Sequence, residues 1–251
     1  VTPIWQGNAN IDNGGDFDAT GVGIRTGTSS GFGAGHRAGV TFHYDYLDYD
    51  FSSRTAFGDA PWGNVQRFGF GVPLVFGGAD GWFYGITPSV EWSRENGADL
   101  GESVIYGGIL SATKAFAPDQ RLGLGLGVFS DIEETKVIPI LVVNWRLNDR
   151  WSLVNPLPAG PAGPAGLELN YRFDNGWDLG LGAAYRSLRF RLSENGPTPD
   201  GVGVERGVPV FLRLSADFSD QASLFLYAGA IVGGELRVED SGGNTLREES
   251  F

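Results

Sequence analysis

A side-chain period of two runs along nearly the whole chain, and a helical period of 3.6 along almost none of it. Between residues 36 and 46 the even positions Ala38, Val40, Phe42, Tyr44 and Tyr46 are apolar or aromatic, while the odd positions include Arg37, Thr41, His43 and Asp45. The same alternation runs through 66–76 (Phe68, Phe70, Val72, Leu74, Phe76), 82–93 (Trp82, Tyr84, Ile86, Val90, Trp92) and 121–128 (Leu122, Leu124, Leu126, Val128). It continues in 167–173, 177–186, 208–218 and 223–238. Successive side chains of a strand point to opposite faces, so each segment predicts a strand with one apolar and one polar face. Less regular candidates at 17–26, 104–116, 136–146 and 151–155 bring the expectation to twelve strands in an all-β, antiparallel chain.

The connections set the order. Five are tight and rich in turn-forming residues: 77–81 (GGADG), 117–120 (APDQ), 147–150 (LNDR), 174–176 (DNG) and 219–222 (SDQA). Longer ones, 47–63, 94–103, 131–136, 156–166 and 193–206, alternate with them. An up-and-down meander has this rhythm when one end carries turns and the other loops, so the expectation is one up-and-down β-barrel domain. Within it, 1–16 is an N-terminal segment or weak first strand (2–10), 17–238 holds the barrel strands, and 239–251 is an outer loop. PAGPAGPAG at 158–166 is too short for a collagen triple helix and reads as a stiff loop.

Alternation has no sign: the apolar stripe could face a soluble core or a lipid bilayer. Three features favour lipid. Only two lysines, Lys114 and Lys136, occur in the chain, where a soluble surface normally carries many. Charge concentrates in the connections. Aromatic residues bracket the tight turns: Phe76, Trp82, Phe116, Trp145, Trp151, Phe173, Trp177 and Phe218, with Trp92 at the far end of its strand. Trp and Tyr favour the membrane–water interface. Ten strand steps from Trp82 to Trp92 cover roughly 33 Å, or roughly 23 Å along the normal at ~45° tilt, near the ~25 Å apolar band of membrane barrels.

On these Gly-rich amphipathic strands, aromatic-flanked turns and acidic loops, residues 17–238 resemble Gram-negative outer-membrane β-barrel proteins, including small porin-like barrels of unassigned function. The resemblance implies a transmembrane barrel, export with removal of a signal peptide, outer-membrane location, contact with lipid and lipopolysaccharide, and no cofactor. Such chains end on an apolar strand with a terminal Phe. Here Phe251 is preceded by Arg247 and Glu249 where apolar residues belong. Counting directions from the tight turns leaves 223–238 ending on the loop side, so a fourteen-strand barrel is expected with its last strand beyond residue 251.

Composition excludes much else. The longest uncharged apolar run, 137–143, is too short for a membrane helix. With no Cys and two His, there are no thiolate ligands or nucleophiles and little imidazole. A net charge of −12 argues against nucleic acid. The connections 47–63, 94–103, 131–136, 193–206 and 239–251 hold sixteen acids and five bases, which suits solvated loops or divalent cations bridging lipopolysaccharide phosphates. Asp131, Glu133 and Glu134 are the densest acidic cluster and a weak metal candidate.

The polar face supplies the lumen candidates: His43, Asp45, Arg67, Glu91, Glu168, Arg172, Asp178, Arg186, Arg213, Asp217, Glu235 and Arg237. Glu168 and Arg172 are expected near Asp178 and Arg186, pairing across strands or lining a passage. Ile105, Ile109, Ile138, Ile140 and Val142 make part of the interior greasy. His43 and Asp45 share a face, yet no serine stands out beside them, and GLGLG at 123–127 precedes no helix, so it is no nucleotide loop. The expected function is a non-enzymatic narrow diffusion channel or structural envelope component. The alternatives are a lumenal binder or transporter of apolar small molecules, then a lipid-modifying enzyme. A register change is expected near 186–187, where the apolar positions of 177–192 switch from odd to even, through a β-bulge or an exit from the bilayer.

Overall fold

The computed structural model describes residues 1–52, 54–156, 165–219 and 222–251. These residues form an antiparallel all-β chain of sixteen strands with no α-helix. In order they are β1 (Thr2–Asn10), β2 (Asp16–Gly33), β3 (His36–Phe51), β4 (Asn64–Gly71), β5 (Leu74–Gly77), β6 (Trp82–Glu95), β7 (Val104–Ala117) and β8 (Gln120–Asp131). They continue with β9 (Thr135–Arg146), β10 (Trp151–Val154), β11 (Gly166–Arg172), β12 (Trp177–Ala184), β13 (Arg186–Arg191), β14 (Val202–Ser219), β15 (Ala222–Glu239) and β16 (Thr245–Ser250). No helix among them is long and apolar enough to cross a membrane.

Each strand pairs with its sequence neighbour along one fourteen-strand path, with β5 and β13 set beside it. The twelve expected strands become sixteen for separate reasons. The 66–76 strand is interrupted at Val72–Pro73, because Pro73 has no N–H for the ladder. The 177–192 strand is interrupted at Tyr185. The weak candidate at 2–10 is a strand, and so are residues 245–250. The 239–251 segment is therefore not simply an outer loop: it turns at 240–244 and comes back along Glu235–Glu239 of β15. It borders only the loop-end part of β15; among the described residues no strand pairs with 222–234 on that side, so β15 does not pair with the N-terminal strands. No ladder pairs β1 with β16 among the described residues; near them Asp12 N, just after β1, donates to Ser250 O (2.8 Å), and Phe251 packs edge-on against Phe17 of β2 (5.0 Å between centroids).

Tight connections at 34–35, 78–81, 118–119, 147–150 and 173–176 share one end of the sheet. Gly176 takes a left-handed φ of 82° in the DNG turn, a conformation that favours glycine. The middle of the 219–222 turn, residue 157 and residues 158–164 of the PAGPAGPAG stretch lie outside the described residues.

The structure gives the alternation its sign. Leu122, Leu124, Leu126 and Val128 of β8 are exposed, and the residues between them are not. Leu124 is 69% exposed, Leu181 of β12 55% and Leu226 of β15 57%, whereas inward-facing Glu168 is 1% and Arg213 7% exposed. Over most of the wall the apolar face points out and the charged face points in.

At the loop end the polarity reverses. β12 and β13 keep one register along β14, Ala183 facing Val210 and Arg186 facing Gly207. No bulge interrupts this strand, so of the two expected causes of the switch at 186–187, a bulge or an exit from the bilayer, the bulge is excluded. The bulge lies one strand over, between β14 and β15, where Arg206 faces Glu235 but Val208 faces Val232, and Gly233 adopts a φ of 60°. Beyond this row β13 reaches β6 through a parallel bridge between Arg191 and Arg94. That closes a ring of nine strands, β6 to β14 without β15. Even positions stay inward throughout, but Leu188, Phe190 and Leu192 now meet a core of Phe17, Tyr49, Trp62 and Leu236. Phe190 is fully buried, its ring edge-on to Trp62 at 5.2 Å. Arg189 and Arg191, on the other face, are also buried. The switch of apolar positions thus reflects a change of surroundings, not a slip of register.

Candidate functional site

Two neighbouring rows of the ladder build a charged inner wall across β2, β3, β4 and β6: Arg25–His43–Gly69–Glu91 and Gly23–Asp45–Arg67–Ser93. Arg25 donates from both terminal nitrogens to Asp45 at 2.7 Å. Arg67 donates through Nε and Nη2 to Glu91 at 2.8–3.0 Å. His43 Nε2 lies 2.8 Å from Glu91 Oε2. It reaches Glu91 across Gly69, where a Cβ would come within 2.5 Å of the imidazole.

The same device recurs nearer the turn end. Asn170, Gly180 and Arg213 face one another on β11, β12 and β14. Arg213 passes over Gly180 to donate to Asn170 at 2.8 Å and to Glu168 at 2.7 Å, and it also bonds Ser215. A Cβ at Gly180 would collide with the Glu168 carboxylate. Gly69 and Gly180 therefore do more than relieve crowding: each lets a charged side chain span a strand to its partner, which a buried charge requires.

Across from the charged wall, β7, β8 and β9 present Ile105, Ile109, Phe129, Ile138 and Ile140. With Arg186, Ser187, Leu188 and Arg189 of β13, the two walls line a cavity of about 370 Å³, a size at the small end of ligand pockets. The greasy patch and the charged patch, legible separately in the sequence, are two sides of one cavity.

The other lumen candidates are dispersed. Arg186 pairs with Glu205 (3.3 Å) and Glu168 with Arg213, so the expected Glu168–Arg186 neighbourhood does not form. Of those four expected neighbours, adjacent strands bring Arg172 and Asp178 together, at 2.9 Å. Asp217 accepts a bond from the Ser223 hydroxyl at 2.6 Å. Glu235 binds Arg206 and Arg237 at 2.6 and 2.9 Å, and Arg237 reaches Glu248 at 2.7 Å. The acidic cluster is matched by cations: Asp131 with Lys136 (2.9 Å), Glu133 with Arg191 (2.5 Å), and Glu134 with Lys136 (3.7 Å). No group of three metal-ligating side chains is placed to hold an ion among the described residues.

Of the aromatic set, Phe116 packs on Trp145 (5.6 Å), Phe76 on Phe32 (6.4 Å) and Trp82 on Tyr84 (6.3 Å). Tyr171 sits between Trp151 and Phe173, 4.9 Å from each. Phe218 is exposed and Trp177 half-buried, and at the loop end Trp92 stacks on Phe68 at 5.1 Å.

Several working residues escaped the sequence reading. Arg25 had a usable signal, since it shares an inner face with Gly21 and Gly23. Glu205 lay in a stretch read as loop, yet it accepts the Tyr49 hydroxyl at 2.5 Å and pairs with Arg186. Arg189 bonds Glu239 at 2.5–3.0 Å and the Ile132 carbonyl at 2.6 Å. Comparison with protein-family models, curated proteins and solved structures finds no match to this chain.

Proposed function

We propose that the chain is a non-enzymatic outer-membrane β-barrel, exported and seated with its leucine-rich face against lipid, and that its lumen holds a small molecule. The observation that carries this reading is the exposed apolar face on successive strands around the wall, bordered at the turn end by aromatic side chains. Apolar patches of such extent rarely face water on a soluble protein. Against lipid they cost nothing, and the aromatic edge belongs at the headgroups. The outer acidic connections then face lipopolysaccharide, with divalent cations bridging carboxylates to its phosphates.

Among the lumen roles, the geometry favours a binder over an open diffusion channel. β13 crosses the loop end, and buried ion pairs close the interior beside it. His43 is committed to Glu91, with no serine hydroxyl among its partners in the described residues, which argues for the non-enzymatic reading. Planar-bilayer recordings test the choice. The closed lumen is expected to give no discrete conductance steps, and porin-sized steps from the unmodified protein would overturn it. The membrane setting has its own check: protein that stays monodisperse without detergent, with its tryptophans untouched by lipid-phase quenchers, contradicts it.

A further inference from the structure

Each wall of the cavity makes a separate demand on a ligand. On the apolar side, Ile105, Ile109, Phe129, Ile138 and Ile140 offer no hydrogen bond, and Lys136 at their edge is taken up by Asp131 and Ser187, so whatever lies along the isoleucines needs a hydrocarbon body. On the charged side the acceptors are largely filled. Glu91 takes two bonds from Arg67 on Oε1 and bonds from Arg67 and His43 on Oε2, while each Asp45 oxygen takes one from Arg25. The spare capacity is in donors. Arg67 spends Nε and Nη2 on Glu91 and leaves Nη1, and Arg25 spends its two terminal nitrogens and leaves Nε. A guanidinium has five N–H donors and cannot accept, so the head that fits must accept.

We propose that the cavity binds an amphipathic carboxylate of medium chain length, its head on Arg67 and Arg25 and its tail along the β7–β9 isoleucines. The inference rests on the membrane reading, since the bilayer is the reservoir that supplies such amphiphiles. A cationic amphiphile would find guanidinium groups at the head position. A plain hydrocarbon would leave the donors without a partner, and buried donors penalise that strongly.

Photolabelling tests both readings with separable readouts. The protein in lipid nanodiscs is incubated with decanoate carrying a diazirine near its tail, irradiated and mapped by mass spectrometry. Outward Leu110, Leu124 and Leu126, on β7 and β8, report the lipid face, while inward Ile105, Ile109 and Ile138, on β7 and β9, report the cavity. Adducts are expected on both sets, with excess decanoate removing the inward ones and decyltrimethylammonium sparing them. Arg67→Ala is expected to cut inward labelling about tenfold, the worth of one charge-assisted hydrogen bond. Because that change also strips Glu91 of its cation, Ile109→Trp, which fills the cavity from its apolar side, is the second variant, with unchanged outward labelling as evidence of an intact fold. Inward labelling that is absent, or that decanol or the ammonium competes as well as decanoate does, overturns the ligand assignment. Absent outward labelling overturns the membrane reading instead, and leaves inward labelling to decide the ligand.

Discussion

The wall around β8 and the mouth around β13 are built from the same kind of strand and solve opposite problems. On β8 the leucines point out and small residues point in. On β13 Leu188 and Phe190 face a second layer of strands and loops that buries them, and Arg189 and Arg191, on the opposite face, are buried in ion pairs, Arg189 beside the cavity. Neither strand slips register. The difference is what lies outside: nothing from the protein itself on β8, and the 132–134 and 192–201 connections on β13. Sequence alternation is therefore a statement about two faces, and the surroundings decide which face is the core.

The largest expected effect lies in the mouth. Phe190→Ala empties a fully buried site beside Trp62 and is expected to cost about 3–5 kcal/mol, measured by urea unfolding in lipid vesicles. If the mouth were a loose plug, the loss would be near zero and the contrast with the wall would collapse. The wall answers to a different substitution. Leu124→Arg places a charge on the exposed face and is expected to cost about 2–4 kcal/mol in vesicles if that face sits near the bilayer midplane. In the same experiment Glu194→Arg, in the 192–201 connection, is expected to do little.

Smaller effects sharpen the picture. Arg172→Ala breaks a pair with Asp178 whose arginine is largely exposed, and it is expected to change stability by no more than about 1 kcal/mol. At the outer 240–244 turn, the backbone and side-chain N–H groups of Asn244 and the N–H of Gly242 hold the Asp240 carboxyl below its ordinary range. A lowered folded pKa means that the unfolded turn binds the proton more readily. The turn's contribution is therefore complete above the ordinary carboxylate pKa and disappears as pH falls through the lowered value. Protection of the Gly242 and Asn244 amides, taken relative to their intrinsic exchange rates, is expected to fall only as pH drops through that lowered value, and to show no such step in Asp240→Asn.

Strands with one apolar face were legible because a period-two signal needs such a face, and β3, β6, β8 and β12 all have one. TLREES in β16 has none. Its place in the sheet comes from partners distant in sequence: Arg237 meets Glu248, and Asn13 donates to Glu249 at 2.8 Å. The reversal at β13 was visible as a change of phase, but a phase change cannot distinguish a bulge from a change of surroundings. The charged residues of the cavity were legible as a polar face. Their pairing was not, because it depends on which glycine sits between two charges, as Gly69 does between His43 and Glu91. That in turn follows from the register of three strands at once.

The central claim is that the exposed leucine face of the wall is a lipid face, and the absence of cysteine makes site-directed spin labelling direct. Labels at Leu110, Leu122, Leu124 and Leu126, and at inward Ser111 and Arg121 for contrast, would be read in liposomes by collision with oxygen and with a water-soluble nickel chelate. The account predicts high oxygen and low nickel accessibility at the four leucine positions, and the loss of that oxygen preference at Ser111 and Arg121. Leucine positions that collide freely with nickel, in a protein that needs no lipid to stay dispersed, would contradict it.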